Sequence, residues 1–306
     1  MNQRVVPVPF LEQHHQFIDS IGVQMGSMLT PKLFRAGIQT PPFDEHLDAV
    51  NPRMSSLALS PGTRSIEFDT RNDTVQAGYQ VATPIVSDRP TVLFHHGIGE
   101  DPYDASFRRI FQPEQSEIDA NLIAVEAPFH RSFESFTRGT ESLGNVLTMQ
   151  AVSVSLLEAL RERIHNQVGT PVLVSGISLG GFVTNLHHIH CGTADRYLPL
   201  LAGLAEEDVF LNSSYRRGVS KLALNQEEFV TDRLNFESEF AETDPSGVHP
   251  MLAQYDTVVR YPIQVSSYNG RPIETIEGGH LTGSVATSRI RDHIDRFVRR
   301  EAEVPS

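Results

Sequence analysis

The stretch Pro171-Val-Leu-Val-Ser-Gly-Ile-Ser-Leu-Gly-Gly-Phe182 decides how the rest of the chain is interpreted. Its apolar start is typical of a buried strand, and the residues that follow, through about Cys191, are compatible with a helix. Between strand and helix lies Gly-x-Ser-x-Gly, which in this setting predicts a sharp turn that exposes the Ser178 hydroxyl above the sheet. A side chain at Gly176 or Gly180 is expected to collide with the neighbouring backbone. The alternative is a glycine-rich turn with an incidental serine.

Composition limits the class of protein. The 306 residues suffice for one large domain with an insertion, and 39% of them are hydrophobic. The formal net charge of −13 argues against a nucleic-acid partner, which needs a basic face. The start of the chain lacks the apolar core of a secretory signal, and no apolar run is interpreted as a membrane span. The only cysteine, Cys191, excludes an internal disulfide, so we expect a cytoplasmic protein.

Apolar strands and helices alternate on both sides of the central stretch. Period-two alternation over Ser65–Asp69 and Val75–Ala82 predicts an antiparallel hairpin. An amphipathic helix is predicted between Leu143 and His165, and the chain ends on another with a core stripe that includes Ile290 and Ile294. Further strands are predicted at residues 90–97, 121–126, 198–204, 250–254 and 273–276. This order predicts an α/β fold: a mostly parallel sheet with an N-terminal antiparallel hairpin and helices on both faces.

The domain organisation follows from where this alternation begins and where it is interrupted. We expect residues 1–60 to be a helical lead-in packed on the main domain, which comprises residues 61–205 and 249–306. Residues 206–248 interrupt the alternation, and Gln226–Phe240 has the pattern of an amphipathic helix. We interpret this insertion as a small helical cap above the serine. The alternative is an ordinary crossover helix packed on the sheet.

From about residue 60 to 300 the chain resembles the α/β-hydrolase fold, in which a nucleophile, an acid and a histidine follow in that order. The resemblance implies that Ser178 is the nucleophile. The segment Ile273-Glu-Thr-Ile-Glu-Gly-Gly-His280 looks like the last strand and the loop that presents the general base, His280. Its two glycines, Gly278 and Gly279, are expected to let the backbone turn. Asp256, after the preceding predicted strand, would accept the other ring N–H of the histidine.

Other acidic residues compete with Asp256 for this role. The run Glu206-Glu207-Asp208 follows an earlier strand, where some relatives of the fold place the acid. Asp244 lies in a proline-flanked turn and is interpreted as a cap. The segment His95-His96-Gly97-Ile98-Gly99 resembles the loop that supplies one oxyanion donor, so the resemblance assigns the backbone N–H groups of Ile98 and Leu179 to the oxyanion hole. His96 is expected to brace that loop.

The resemblance implies a serine hydrolase that cleaves a carboxylic ester or related acyl bond of a small-molecule substrate, without a cofactor. An amidase or peptidase, a thioesterase and an acyltransferase would use the same three residues. A binding protein without catalysis on the same scaffold is a further alternative. Action at a lipid surface would require the phenylalanines of residues 206–248 to face outward. The cluster His187, His188, His190 and Cys191 is interpreted as a helix end rather than a metal site, because no carboxylate accompanies it in the sequence.

Overall fold

A single mixed sheet organises the residues that the computed structural model describes, which are 11–20, 31–53, 56–112 and 118–303. Its strands are β1 (Asn51–Pro52), β2 (Gly62–Asp69), β3 (Thr74–Val81), β4 (Thr91–His95), β5 (Asn121–Glu126), β6 (Val172–Ile177), β7 (Arg196–Leu200), β8 (Met251–Ala253) and β9 (Glu274–Ile276). The order across the sheet is β1-β2-β3-β5-β4-β6-β7-β8-β9. The pairs from β1 to β3 and the pair β3/β5 are antiparallel, and the remaining neighbours are parallel. The predicted parallel sheet with an antiparallel hairpin is confirmed.

Helices cover both faces of this sheet. They are α1 (residues 11–20), α2 (Phe43–Asp48), α3 (Ala105–Phe111), α4 (Phe133–Thr140), α5 (Leu143–Gln167), α6 (Leu179–His190), α7 (Glu207–Leu211), α8 (Lys221–Leu224), α9 (Glu227–Leu234), α10 (Glu237–Ala241), α11 (Tyr261–Ser267), α12 (His280–Ser284) and α13 (Thr287–Ala302). Side chains of α5 and α6 share one apolar cluster with Val172 and Val174. Side chains of α3 and α13 share a second cluster with Leu173. Because successive strand residues point to opposite faces, β6 contributes to both clusters.

The central helix α5 is capped at its start by Ser142, whose hydroxyl accepts a hydrogen bond from the N–H of Asn145 (3.1 Å). By length and composition alone α5 could cross a membrane. The sequence analysis did not identify this segment as a candidate membrane span. However, 72% of its apolar 18-residue window is buried inside the fold. That burial is typical of the core helix of a globular domain.

Residues 206–248 are helical, but their detail differs from the prediction. Instead of one helix over residues 226–240 there are two, α9 and α10, separated at Asn235. The backbone of Asn235 is extended (φ −99°, ψ 117°), and its side-chain oxygen accepts a hydrogen bond from the N–H of Glu237 (3.1 Å). Phe236 and Phe240 are 4% and 1% exposed, so these rings face the core and not a lipid surface.

Four short helices outside the lead-in and the predicted cap, α3, α4, α11 and α12, were not predicted from the sequence. Of the predicted helical lead-in, residues 11–20 and Phe43–Asp48 are helical, whereas the other described residues before residue 61 lie outside helices. Residues 1–10, 21–30, 54 and 55 lie outside the described residues. The division of the chain into lead-in, main domain and cap stays a prediction.

Candidate active site

Ser178 lies at the turn between β6 and α6. Its backbone has φ 54° and ψ −113°, a conformation that residues with a side chain rarely adopt. A Cβ at Gly176 would lie 2.3 Å from the carbonyl oxygen of Gly180, and one at Gly180 would lie 2.2 Å from the carbonyl oxygen of His95. The predicted steric reason for both glycines is therefore confirmed.

His280 and Asp256 approach Ser178 from the loops that follow β9 and β8. Nε2 of His280 lies 3.0 Å from Oγ of Ser178, and Nδ1 lies 2.7 Å from Oδ2 of Asp256. The second oxygen of Asp256, Oδ1, accepts hydrogen bonds from the N–H groups of Val258 and Val259, both at 2.8 Å. These contacts fit the tautomer in which Nδ1–H donates to the carboxylate and Nε2 accepts from the serine hydroxyl. The carboxyl edge of the sheet thus brings together three side chains that the sequence analysis singled out.

The competing acidic residues are bonded elsewhere. Glu206 accepts hydrogen bonds on both oxygens from Nε2 of Gln150, at 2.8 and 2.7 Å. Asp208 forms an ion pair with the guanidinium of Arg260. Asp244 accepts a hydrogen bond within its own turn. Glu207 accepts a hydrogen bond from Nδ2 of Asn235 (3.0 Å). None of these four carboxylates contacts His280 among the hydrogen bonds of the described chain.

The loop after β4 packs directly against the serine turn, since a Cβ at Gly97 would lie 3.7 Å from Cβ of Ser178. Two side chains fix the course of this loop. The N–H of Gly97 donates to Oε1 of Glu100 (2.8 Å), and the N–H of Gly99 donates to Nε2 of His130 (3.2 Å).

Two backbone donors at this junction are left over. Among the hydrogen bonds within the described ranges, none uses the N–H of Ile98, which lies between Gly97 and Gly99, or the N–H of Leu179, the first residue of α6. Unbonded N–H groups at a helix start favour an acceptor that carries negative charge.

Two neutral histidines, His96 and His130, form hydrogen bonds that stabilise the loop after β4. Nε2 of His96 accepts a hydrogen bond from the N–H of Ala127 (3.0 Å), while its Nδ1 lies 2.7 Å from the carbonyl oxygen of Gly97. Burial lowers the pKa of His96 and of His130 to about 3. Both rings are therefore uncharged near neutral pH and serve as hydrogen-bond acceptors, so His96 occupies the bracing position that the sequence analysis expected.

The pKa of His280 is shifted in the opposite direction from the pKa values of His96 and His130. Burial lowers its pKa, but the negative charge of Asp256, the hydrogen bond to it and the charge of Asp19 outweigh burial, so the pKa is raised above its ordinary value of 6.5. A ring stabilised as imidazolium in this way is suited to accept a proton from a neighbouring hydroxyl.

The helix-end cluster has a carboxylate neighbour that the sequence analysis missed. Glu158 of α5 lies beside His187 and Cys191, with its Oε2 3.1 Å from Nε2 of His187. The same carboxylate accepts hydrogen bonds from Arg161 and from Thr193, both at 2.5 Å. Because a guanidinium and a hydroxyl already compensate its charge, we interpret the group as a partly buried ion-pair cluster.

Sequence reasoning missed three residues that shape the site: Asp19, Glu100 and His130. His130 had a usable signal, because it follows the carboxyl end of a predicted parallel strand, where sites in such sheets form. Asp19 had none, since the backbone groups that it contacts lie as far as 262 positions along the chain.

The chain is similar in structure to known proteins although no family model and no curated protein matches its sequence. An esterase from Pyrococcus furiosus covers 83% of this chain and all of its own at a TM-score of 0.52 and 14% identity. An acetyl xylan esterase from Paenibacillus sp. R4 covers 97% of this chain and all of its own at a TM-score of 0.54 and 12% identity. An acylaminoacyl peptidase from Pyrococcus horikoshii gives a TM-score of 0.57 at 13% identity over 81% of this chain, which spans 43% of that protein.

Proposed function

This chain has the α/β-hydrolase fold, and from that premise we propose that it is a serine hydrolase that cleaves carboxylic esters through an acyl-enzyme. The observation that carries the proposal is the continuous hydrogen-bonded series from Asp256 through His280 to Ser178. The strained backbone of the serine and the two unbonded N–H groups beside it add support.

In the proposed reaction Oγ of Ser178 attacks the carbonyl carbon of the ester while Nε2 of His280 takes the hydroxyl proton. The resulting oxyanion accepts hydrogen bonds from the N–H groups of Ile98 and Leu179. His280 then gives its proton to the departing alcohol, and the acyl group stays on the serine. Water attacks the acyl-enzyme, His280 takes a proton from it, and that proton returns to Ser178 as the carboxylic acid leaves. Asp256 fixes the tautomer of His280 and stabilises the imidazolium.

The test is hydrolysis of p-nitrophenyl esters of increasing acyl length by the wild type and by Ser178→Ala. We expect the variant to lose at least about 10⁴-fold in kcat/KM, because the nucleophile is removed. Ser266→Ala, at an exposed position of α11, is the matched control and should keep full activity. A fluorophosphonate probe should label Ser178 in the wild type and leave Ser178→Ala unlabelled. Undiminished turnover or labelling in that variant would refute the proposal.

Esters are proposed over other acyl compounds because their cleavage needs the least assistance to the leaving group. One structurally similar protein is an acylaminoacyl peptidase, so the panel should present one acyl group as ester, thioester and amide, the last including an N-acylated amino-acid amide. Transfer to an added alcohol would reveal an acyltransferase. A binding protein without catalysis would show neither turnover nor labelling.

We also propose a cytoplasmic location, because the chain has a single cysteine and can form no internal disulfide. Cell fractionation tests this location.

A further inference from the structure

A buried carboxylate from α1 contacts both loops that carry the candidate acid and base. Asp19 is 0% exposed, and its Oδ2 accepts hydrogen bonds from the N–H groups of His280 (2.8 Å) and Thr257 (3.3 Å). Its Oδ1 accepts one from the N–H of Leu281 (3.0 Å). A single side chain therefore joins the first helix to the residue after Asp256 and to His280 itself.

The partners of this carboxylate are backbone groups. Within the described ranges of the chain, Asp19 is bonded to N–H groups and to no basic side chain. A buried carboxylate is costly unless hydrogen bonds compensate it, and bonds to a charged acceptor are stronger than neutral ones. If either loop moved away, the charge would lose part of its compensation. The carboxylate therefore opposes separation of the two loops.

The glycine before His280 leaves room for this contact. A Cβ at Gly279 would lie 2.6 Å from Oδ2 of Asp19. Neither Gly278 nor Gly279 has a positive φ, and φ of Gly279 is −86°, which any residue adopts. The predicted conformational reason for the two glycines is therefore wrong, and at Gly279 the close approach of the carboxylate explains the missing side chain.

A second residue of α1 repeats the pattern one turn earlier. Nδ1 of His15 lies 2.9 Å from Oγ1 of Thr282, and its ring stacks on Tyr255 with centroids 5.7 Å apart. Thr282 lies in α12, two residues after His280, and Tyr255 immediately precedes Asp256. Residues four apart lie on one helix face, so His15 and Asp19 contact the same two loops together.

We propose that Asp19 is a positioning residue that holds the loops of Asp256 and His280 in the relative placement that the hydrogen-bonded series to Ser178 requires. The inference rests on the proposed hydrolase function. Asp19 does not touch the reacting atoms, because the ring nitrogens of His280 contact Ser178 and Asp256. It acts through backbone N–H groups.

The first test compares Asp19→Ala and Asp19→Asn with the wild type in ester hydrolysis. We expect Asp19→Ala to lower kcat about 10- to 100-fold and to leave KM within about threefold, since misplacement of catalytic groups by about 1 Å costs that much. Asp19→Asn keeps one acceptor oxygen and should recover part of the loss. The matched control is Glu12→Gln on the same helix, whose carboxylate bonds to Gln16, and it should behave as the wild type.

A double-mutant cycle with Gly279→Ala tests the contact itself. Alone, Gly279→Ala should lower kcat because its Cβ collides with the carboxylate of Asp19. In the Asp19→Ala background the same change should cost much less, because the colliding group is gone. Equal costs in both backgrounds would overturn the proposed contact.

Hydrogen exchange separates this inference from the proposed function. In Asp19→Ala the amides of Thr257, His280 and Leu281 should exchange faster while the amides of β6 keep their protection. Unchanged exchange at these amides, or a uniform increase across the sheet, would overturn the positioning role. If the wild type lacks hydrolysis and labelling but the local exchange still rises, the positioning role stands and the proposed function fails.

Discussion

At the scale of single residues, the site depends on one histidine that differs in charge behaviour from the histidines around it. Burial keeps His96 and His130 neutral, whereas Asp256 and Asp19 raise the pKa of His280. The difference lies in the partners, because the neutral rings contact backbone groups and His280 contacts a carboxylate. A carboxylate partner suits His280 to the role of a base.

We expect kcat/KM to rise with pH as His280 loses its proton, with the midpoint above the ordinary value of 6.5. The charged groups that raise this pKa are Asp256 and Asp19. Asp19→Asn removes one of the two negative charges that stabilise the protonated ring. His280 then loses its proton more readily, and the midpoint moves to lower pH. A pH profile of kcat/KM measures this, with Glu12→Gln as the reference. A midpoint that stays in place in Asp19→Asn would contradict the assignment.

Some residues of the candidate site could be predicted from the sequence, and others could not. Ser178, Asp256 and His280, the proposed catalytic residues, could be singled out because each follows a predicted strand at the carboxyl edge and because their order along the chain is informative. Asp19 was not predicted because its partners are backbone N–H groups far along the chain. Backbone groups are the same in every residue, so the contact produces no pattern of residue types. Gly279 was noticed for the wrong reason, since close approach and unusual backbone conformation look identical in a sequence.

At the scale of elements, periodicity predicted the long helices better than the short ones. The pattern from Leu143 to His165 predicted α5 to within two residues of its end at Gln167. The pattern over residues 226–240 is equally amphipathic, yet Asn235 ends one helix, and its side chain bonds the backbone at the start of the next. An asparagine that competes for backbone groups interrupts a helix without interrupting its apolar stripe.

The junction of α5 with α7 contains a carboxyl group whose burial should make stability depend on pH. Burial raises the pKa of Glu206 to about 7, so its ionisation is opposed in the folded state and not in the unfolded chain. Stability is therefore lost as the pH rises from the unfolded value towards 7 and above. Glu206→Gln removes this effect, and its amide can donate to Oε1 of Gln150, which has no partner among the described residues.

The expected result is a free energy of unfolding for Glu206→Gln that exceeds that of the wild type at pH 8 by at most roughly 3 kcal/mol. At pH 5 the two proteins should be nearly equal. Urea denaturation at both pH values measures the difference. Glu228→Gln, on the exposed face of α9, is the control and should show no such pH dependence. A gap between Glu206→Gln and the wild type that fails to widen towards pH 8 would be inconsistent with an opposed ionisation.

At the scale of the whole molecule, the two apolar clusters share one sheet. Leu173 belongs to one and Val172 and Val174 to the other, so neither cluster can form without the strand between them. This shared sheet favours cooperative unfolding in a single transition, in which damage to either cluster lowers the stability of both.

Ile294→Ala tests this coupling far along the chain from Ser178. Ile294 is 0% exposed in α13, and its truncation should cost about 2–5 kcal/mol of unfolding free energy because it leaves a cavity. Turnover at low temperature should be unchanged. Leu222→Ala, at a side chain that is 42% exposed, should cost much less. Calorimetry measures both, and separate transitions for the two faces would contradict the shared core.

The overall architecture was accessible from the sequence because apolar strands alternate with amphipathic helices over most of its length, and that order permits few topologies. The contact between the first helix and the last loops was not accessible. It depends on groups that come into contact only in the folded chain, and such a contact produces no periodic pattern in the sequence.

The long separation between Asp19 and its partners has a consequence for the newly synthesised protein. The carboxylate leaves the ribosome before the amide of residue 280, which follows 261 positions later. At ordinary rates of translation this gap lasts on the order of tens of seconds. Throughout that interval Asp19 lacks the backbone N–H of His280 that later compensates its charge, so the proposed hydrolytic activity should arise only after residue 280 has emerged.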